Sequence, residues 1–335
     1  NNLTKNIAIY GCFIIVFLIS FTLGKYDISV KQVLEVFWCA ITATHFSGDE
    51  IIPMVILKIR RPRIIMASLI GGSLAVSGAA YQGLFTNTMV SPDILGASSG
   101  AGFGASIAII FSAPFLGIQT SAFVAGIVAT GAAYGISKMV SKGKEITLTL
   151  VLSGMVVSAL FSAFVTLIKY VADPFNKLPE ITYWLMGGLS AVNMDDVKLA
   201  IIPTIVGVAV LVILRWKLNV LSFGEEEASA LGLNTKRVRL LTIIASTLLT
   251  ACSVSIGGMI GWIGLIIPHL SRIIVGPNYK DLIPASFLLG AIFLLIVDDI
   301  SRTMFMMEIP LGILTAIIGA PFFVILLFKR KKGWV

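Results

Sequence analysis

Charged positions in this chain are gathered into short clusters separated by long charge-free blocks. None lies between Ile64 and Pro92, Ile94 and Ser137, Ile146 and Ile168, Leu199 and Leu214, Leu240 and Ser271, Leu282 and Val297, or Ile309 and Phe328. A transmembrane helix needs only about 20 such residues. The pattern therefore predicts an all-α polytopic membrane protein with about ten spans. The first is Ile7 to Leu23, a span rather than a cleaved signal because no A-x-A-like site follows it. Residues 25–59 form an outside excursion with room for an amphipathic helix, and Arg60-Arg61-Pro62-Arg63 opens the second span, which runs to about Leu84.

Small residues mark where helices approach one another. Gly71, Gly72, Ala75, Gly78 and Ala79 stud the second span, and Gly96, Gly100 and Gly104 repeat every four residues in the third, giving smooth faces for close packing in lipid. The fourth span, about Ile118 to Ser137, ends in Lys138, Lys142 and Lys144, and the fifth is Ile146 to about Ile168. Residues 169–197 hold two prolines, an apolar strip around Trp184 and the pair Asp195-Asp196; they read as a short helix near the outer surface or as a connecting loop. Arg215 and Lys217 close the sixth span, and the seventh starts near Leu240. Gly257-Gly258, Gly261, Gly264 and Pro268 then break the pattern into a turn and an irregular eighth span. Such breaks survive in lipid only where neighbouring protein satisfies the freed backbone. The ninth and tenth spans, Leu282–Val297 and Ile309–Phe328, lead to the tail Lys329-Arg330-Lys331-Lys332.

Against this background Asn219 to Arg239 is a polar island with three glutamates and three basic residues. It reads as a short helical hairpin on the cytoplasmic face, gripped by a soluble partner. Acids at the N-terminal end suit the helix dipole, and Gly232 suits a left-handed stop. Ten spans place both termini on one side, and the basic tail makes that side cytoplasmic; the majority of the 25 Lys and Arg residues then fall inside. Arg60, Arg61 and Arg63 are the main exception, outside at the mouth of a helix, which implies a use for them.

Composition agrees and narrows the chemistry. The chain is 57% hydrophobic and 13% charged, against roughly 45–50% and about 25% in soluble domains. A net charge of +8 would suggest nucleic acid in a soluble protein, but these basic residues flank apolar runs as topology signals do and form no phosphate-tracking stripe. Nucleic acid is excluded as a partner. Cys12, Cys39 and Cys252 are far apart, so neither a disulfide framework nor a zinc site follows. The run GASSGAGFGAS lacks the Gly-Lys-Ser/Thr ending of a phosphate loop, and His45 and His269 are not in an HExxH setting. Asp298 and Asp299 are adjacent at a helix end and are expected to point to different sides, not to form a catalytic pair. No catalytic residues and no metal ligands emerge, and the chain is not expected to be an enzyme.

Several motifs in one order carry a family resemblance: Arg60 to Arg63, Gly78 to Pro92 (GAAYQGLFTNTMVSP), Leu95-Gly96-Ala97-Ser98 with Gly100-Ala101, Phe223 to Leu233 (FGEEEASALGL), Ile260 to Arg272 (IGWIGLIIPHLSR), Asp298 to Arg302 (DDISR) and Ile309 to Phe323 (IPLGILTAIIGAPFF). Over nearly its whole length the chain resembles the permease subunits of type II ABC importers, the iron-siderophore, haem and cobalamin uptake family. The resemblance implies one transmembrane permease domain over residues 1–335 with ten helices, in a bacterial or archaeal cell membrane. It implies a second permease subunit, two ATPase subunits that hold ATP and magnesium, and an extracytoplasmic substrate-binding protein; the permease itself would bind no cofactor.

The same resemblance assigns roles. Glu225, Glu226, Ala228, Leu231 and Gly232 match coupling helices that sit in a groove of the ATPase. Arg60, Arg63 and Arg302 match arginines that receive acidic knobs of the binding protein, a task for which the planar guanidinium fork is suited; binding of lipid headgroups is the other reading. Where Arg61 stands the family pattern has an apolar residue. Asn87, Met89 and Thr147 match pathway-narrowing positions, where hydrogen bonding can seal a wet constriction or merely cap helices, and Thr88 replaces a usual proline. His269 matches a family position with a structural hydrogen bond. The implied function is ATP-driven import of an iron chelate such as a ferric siderophore, with haem or cobalamin as the alternative cargo. An ion-coupled secondary carrier is the reading from another class, disfavoured by the shortage of mid-span carboxylates and by the docking island.

Overall fold

In lipid every backbone N–H and C=O must find its partner within the protein, and the charge-free blocks meet that demand by becoming helices. The computed structural model describes residues 2–44, 46, 48–141 and 146–330; His45, Lys142, Lys144, Lys331 and Lys332 lie outside them. The described residues contain no strand. In order they form α1 (Asn2–Ser20), α2 (Val30–Thr42), α3 (Ile51–Met54), a π-helical stretch (Val55–Arg60), α4 (Arg61–Leu84), a 3₁₀ turn (Pro92–Leu95), α5 (Ala97–Ile110), α6 (Phe115–Ser141) and α7 (Ile146–Val171). They continue with α8 (Lys177–Met186), α9 (Met194–Leu221), α10 (Glu225–Ala230), α11 (Thr235–Gly257), α12 (Ile263–Val275), α13 (Tyr279–Thr303) and α14 (Leu311–Arg330). Six helices are long and apolar enough to cross a membrane, and α1, α5, α12 and α14 are shorter apolar ones. The fold is all-α and polytopic, as the charge pattern predicts.

The second span departs from expectation at its start. Helix does not begin at Arg60 but runs unbroken from Ile51 through the π-helical stretch to Leu84. The wider π turn brings both Lys58 and Arg60 into its last turn and absorbs a polar approach that hydropathy alone assigns to a loop. The outer excursion does hold an amphipathic helix, α2, started by a capping box in which Ser29 Oγ accepts from the Gln32 N–H and Gln32 returns the bond to the Ser29 N–H. Residues 169–197 likewise contain the short helix α8.

Helix α4 is the buried axis of the bundle. A Cβ on Gly78 would stand 1.8 Å from the Gly264 carbonyl oxygen of α12, and one on Gly71 would stand 2.2 Å from that of Gly290 in α13. These contacts exist only because both partners lack side chains. Gly100 and Gly104 let α5 close on the Ala125 and Ser121 carbonyls of α6, whereas Gly96 is not on that face but turns the chain into α5 at φ +84°. The break after α11 also finds its partners: the Gly188 N–H donates to the Gly257 carbonyl and the Leu311 N–H to that of Gly187, both at 2.9 Å. Those two bonds tie α8 and α14 to the turn between α11 and α12.

Candidate functional site

The polar island folds as one short helix, not as a helical hairpin. At one end of the bundle α9 stops at Leu221, Gly224 turns at φ +123°, and α10 follows with Glu225, Glu226 and Glu227 in its first turn. Its stop is the left-handed one expected: Gly232 has φ +80°, its N–H donates to the Ser229 carbonyl, and the Leu233 N–H reaches back to Ala228 at 3.0 Å. Two residues after Gly232, Asn234 caps α11 through the Arg237 N–H, so residues 235–239 extend a spanning helix instead of forming a second knuckle.

The expected coupling residues divide between two faces. Ala228 is 0% exposed and packs with Val220, Leu221 and Val238. Glu225 turns toward α11, where its carboxylate meets Arg239 at 2.5 Å and accepts from Thr235 Oγ1 at 3.2 Å. Glu226 and Leu231 point outward, Leu231 at 70% exposure. Beside them Phe223 is 77% exposed. Sequence reasoning did not single out Phe223, although a large aromatic in the island's FGEEE run was the available signal. A pedestal of Glu225 and Ala228 thus presents Phe223, Glu226 and Leu231.

At the opposite end the three expected docking arginines are buried and already engaged. Arg63 grips Asp298 through Nε at 3.0 Å to both oxygens and Nη2 at 2.9 Å, and reaches Glu308 through Nη1. Arg302 pairs with Asp299, lies 3.8 Å from Asp298, and donates to the Ser20 carbonyl at 2.7 Å. Arg60 donates to the carbonyls of Phe21 and Tyr26. Asp298 and Asp299 do face different neighbours, α4 and α1, but Arg302 spans both, so they belong to one cluster. Above it the residues after α13 expose Met304, Phe305, Met306 and Met307. A cavity of about 620 Å³ there is walled by α8 residues such as Tyr183 and Met186 together with Phe305 and Met307.

Asn87 and Met89 share the turn after α4, where Asn87 Oδ1 accepts from the Met89 N–H at 2.9 Å and both side chains are exposed. Thr147 stands half-buried in the first turn of α7, the helix that packs on the 3₁₀ turn by bringing Gly154 against the Ile94 carbonyl. His269 has an interaction partner within the protein. Gly96 to Gly100 spells Gly-x-Ser-x-Gly, but the Ser98 hydroxyl donates to Asp93 and not to the histidine that activates a nucleophilic serine. Among the described residues no cluster of His, Cys, Asp and Glu is suited to a metal.

A bundle of apolar helices with a projecting knuckle at one end and an ion cluster at the other defines a multi-pass transport subunit. The chain belongs to the FecCD transport family, whose model matches residues 12–329, and it is a membrane-spanning ABC transporter permease. It is 41% identical over 320 residues to the molybdate import system permease protein MolB of Haemophilus influenzae, covering 96% of this chain and 94% of that one. It is 38% identical over 311 residues, 92% and 93% of the two chains, to a probable iron chelatin transport system permease protein of Helicobacter pylori. A solved ABC transporter of metal-chelate type in an inward-facing conformation superposes with a TM-score of 0.86 at 38% identity, covering 97% of this chain and 98% of the other. An ABC permease is a membrane component without a catalytic site of its own, the role read from the sequence.

Proposed function

We propose that this chain is the permease subunit of an ATP-driven importer for an iron chelate or a related metal-bearing cofactor, worked by two ATPase subunits seated on α10 and loaded by a binding protein at the opposite end. The observation that supports it best is the knuckle itself. Phe223, Glu226 and Leu231 project from a six-residue helix whose inner side is packed through Ala228 and tied to α11 by Glu225–Arg239. An apolar residue left exposed on such a pedestal is suited to a partner's groove, and force applied there passes directly into α9 and α11. On this reading the knuckle, both termini and the Asn87–Met89 turn face the cytoplasm, with Asn87, Met89 and Thr147 narrowing the pathway that α7 lines in a permease pair.

The docking reading takes a specific form. Glu308, 34% exposed at its side chain, is the outermost acid on Arg63. A carboxylate of the binding protein would displace it and use the vacated Nη1, while the exposed Met304–Met307 run supplies apolar contact. The relatives differ in what they are named for, molybdate in one and iron chelatin in another, so cargo rests on the binding protein. Reconstitution with the partner ATPases and binding protein tests the reading: uptake of a ferric siderophore, with molybdate, haem and cobalamin as competitors, should require ATP. Uptake driven by an ion gradient without ATP would refute it.

A further inference from the structure

At the α10 end, α6 and α11 diverge and leave two adjoining cavities. One, of about 390 Å³, is lined by Tyr134, Ser137 and Lys138 of α6 and by Lys236, Arg237 and Arg239 of α11. The other, of about 200 Å³, is an apolar trough between Ile127, Thr130 and Gly131 on one side and Ile244, Thr247 and Leu248 on the other. Tyr134 and Leu240 line both, so the basic chamber adjoins the trough.

Three features at this place ask for a ligand. Arg239 is neutralised by Glu225, but among the described residues Lys138, Lys236 and Arg237 make no ion pair, and three cations converge on one chamber. Thr130, only 2% exposed, lines the trough with an Oγ1 that has no hydrogen-bond partner among the described residues; an unmet buried hydroxyl is unfavourable by about 1–3 kcal/mol. The surrounding faces of α6 and α11 are apolar and exposed at Val124, Val128 and Ile244, as helices bordering hydrocarbon are.

We propose that this cleft binds one anionic glycerophospholipid, its phosphate in the chamber among Lys138, Lys236 and Arg237 and an acyl chain in the trough. Thr130 stands two turns deeper than Lys138 along α6, so the trough runs inward from the chamber along that helix. A free phosphate would satisfy the chamber and leave the trough empty; only a molecule carrying both charge and hydrocarbon fills the continuous shape. Because Arg237 and Arg239 also belong to the segment that follows α10, the lipid would brace the base of the knuckle against α6.

Native mass spectrometry of the full chain, delipidated in detergent and titrated with phosphatidylglycerol, phosphatidylcholine of the same acyl chains, or inorganic phosphate, tests this. Phosphatidylglycerol should bind as a single saturable adduct at least tenfold more tightly than phosphatidylcholine. Lys138→Ala and Lys236→Ala should each weaken it about fivefold, the effect of one cation near a lipid phosphate. Gly131→Leu separates lipid from free anion: a Cβ at Gly131 meets nothing within 4 Å, so the side chain enters the trough without disturbing the helices and should weaken phosphatidylglycerol alone. Equal binding of the two lipids would overturn the proposal. So would a Gly131→Leu chain that binds phosphatidylglycerol normally while inorganic phosphate competes it away.

Discussion

Arg63 of α4 lays its guanidinium along the Asp298 carboxylate of α13, with Nε 3.0 Å from both oxygens and Nη2 2.9 Å from one. The two side chains are 6% and 1% exposed, so each neutralises a charge that the bundle has removed from water. Breaking a buried pair by removing one partner strands the other, a loss of about 3–5 kcal/mol, whereas replacing both with apolar residues is often neutral. Arg63→Met should therefore lower the thermal midpoint in detergent sharply, and Arg63→Met with Asp298→Leu should recover most of it. A single variant as stable as the parent would contradict the pairing.

Docking of the binding protein should respond in the opposite sense to Glu308. Glu308→Gln leaves Arg63 Nη1 without its competing anion and should tighten docking about fivefold at low salt, with the gain fading as salt screens it. Arg63→Glu or Arg60→Glu should weaken docking in the same salt-sensitive way. An affinity measured by surface plasmon resonance that ignores all three changes would remove the arginine cluster from the docking surface.

On the knuckle, stability and coupling should separate. Glu226→Lys and Leu231→Ala change exposed side chains and should leave the stability within about 0.5 kcal/mol of the parent while cutting ATP-driven uptake. Ala228→Leu overfills a fully buried position and should instead destabilise by roughly 1–3 kcal/mol. If Leu231→Ala transports normally, the exposed face is not the contact.

Gly232 isolates backbone conformation from packing. Its φ is +80° and a Cβ there would meet nothing within 4 Å, so a side chain is opposed only by left-handed geometry, by roughly 1–2 kcal/mol. Gly232→Val should show that loss in thermal unfolding, and Gly232→Asn, which tolerates the left-handed region, should lose less. Equal losses would mean that space and not φ excludes the side chain.

Much of this architecture is legible in the sequence because lipid is an exacting solvent. Charges cannot enter it, so the gaps between them outline the spans, and the glycines that break α11 from α12 announce a turn that protein must satisfy. The polar island and its left-handed stop at Gly232 are legible too, although the hairpin expected there is a single short helix. What the chain does not reveal is partnership at a distance. Arg63 and Asp298 lie 235 positions apart, so nothing local in the sequence shows that Arg63 is already paired within the chain. Six residues of helix are also too few to show which face is inward, so the burial of Ala228 is not legible in the sequence. Lys138 and Arg237 likewise line one cavity only because α6 and α11 pack together.

Thiol labelling at the knuckle tests the account most directly. In a chain with Cys12, Cys39 and Cys252 replaced by serine and Leu231→Cys introduced, a membrane-impermeant maleimide is applied to intact cells and to inverted vesicles with and without bound ATPase subunits. The account predicts no labelling in intact cells, full labelling in stripped vesicles, and protection when the ATPases are seated. Labelling in intact cells, or vesicles labelled equally with and without the ATPases, would contradict it.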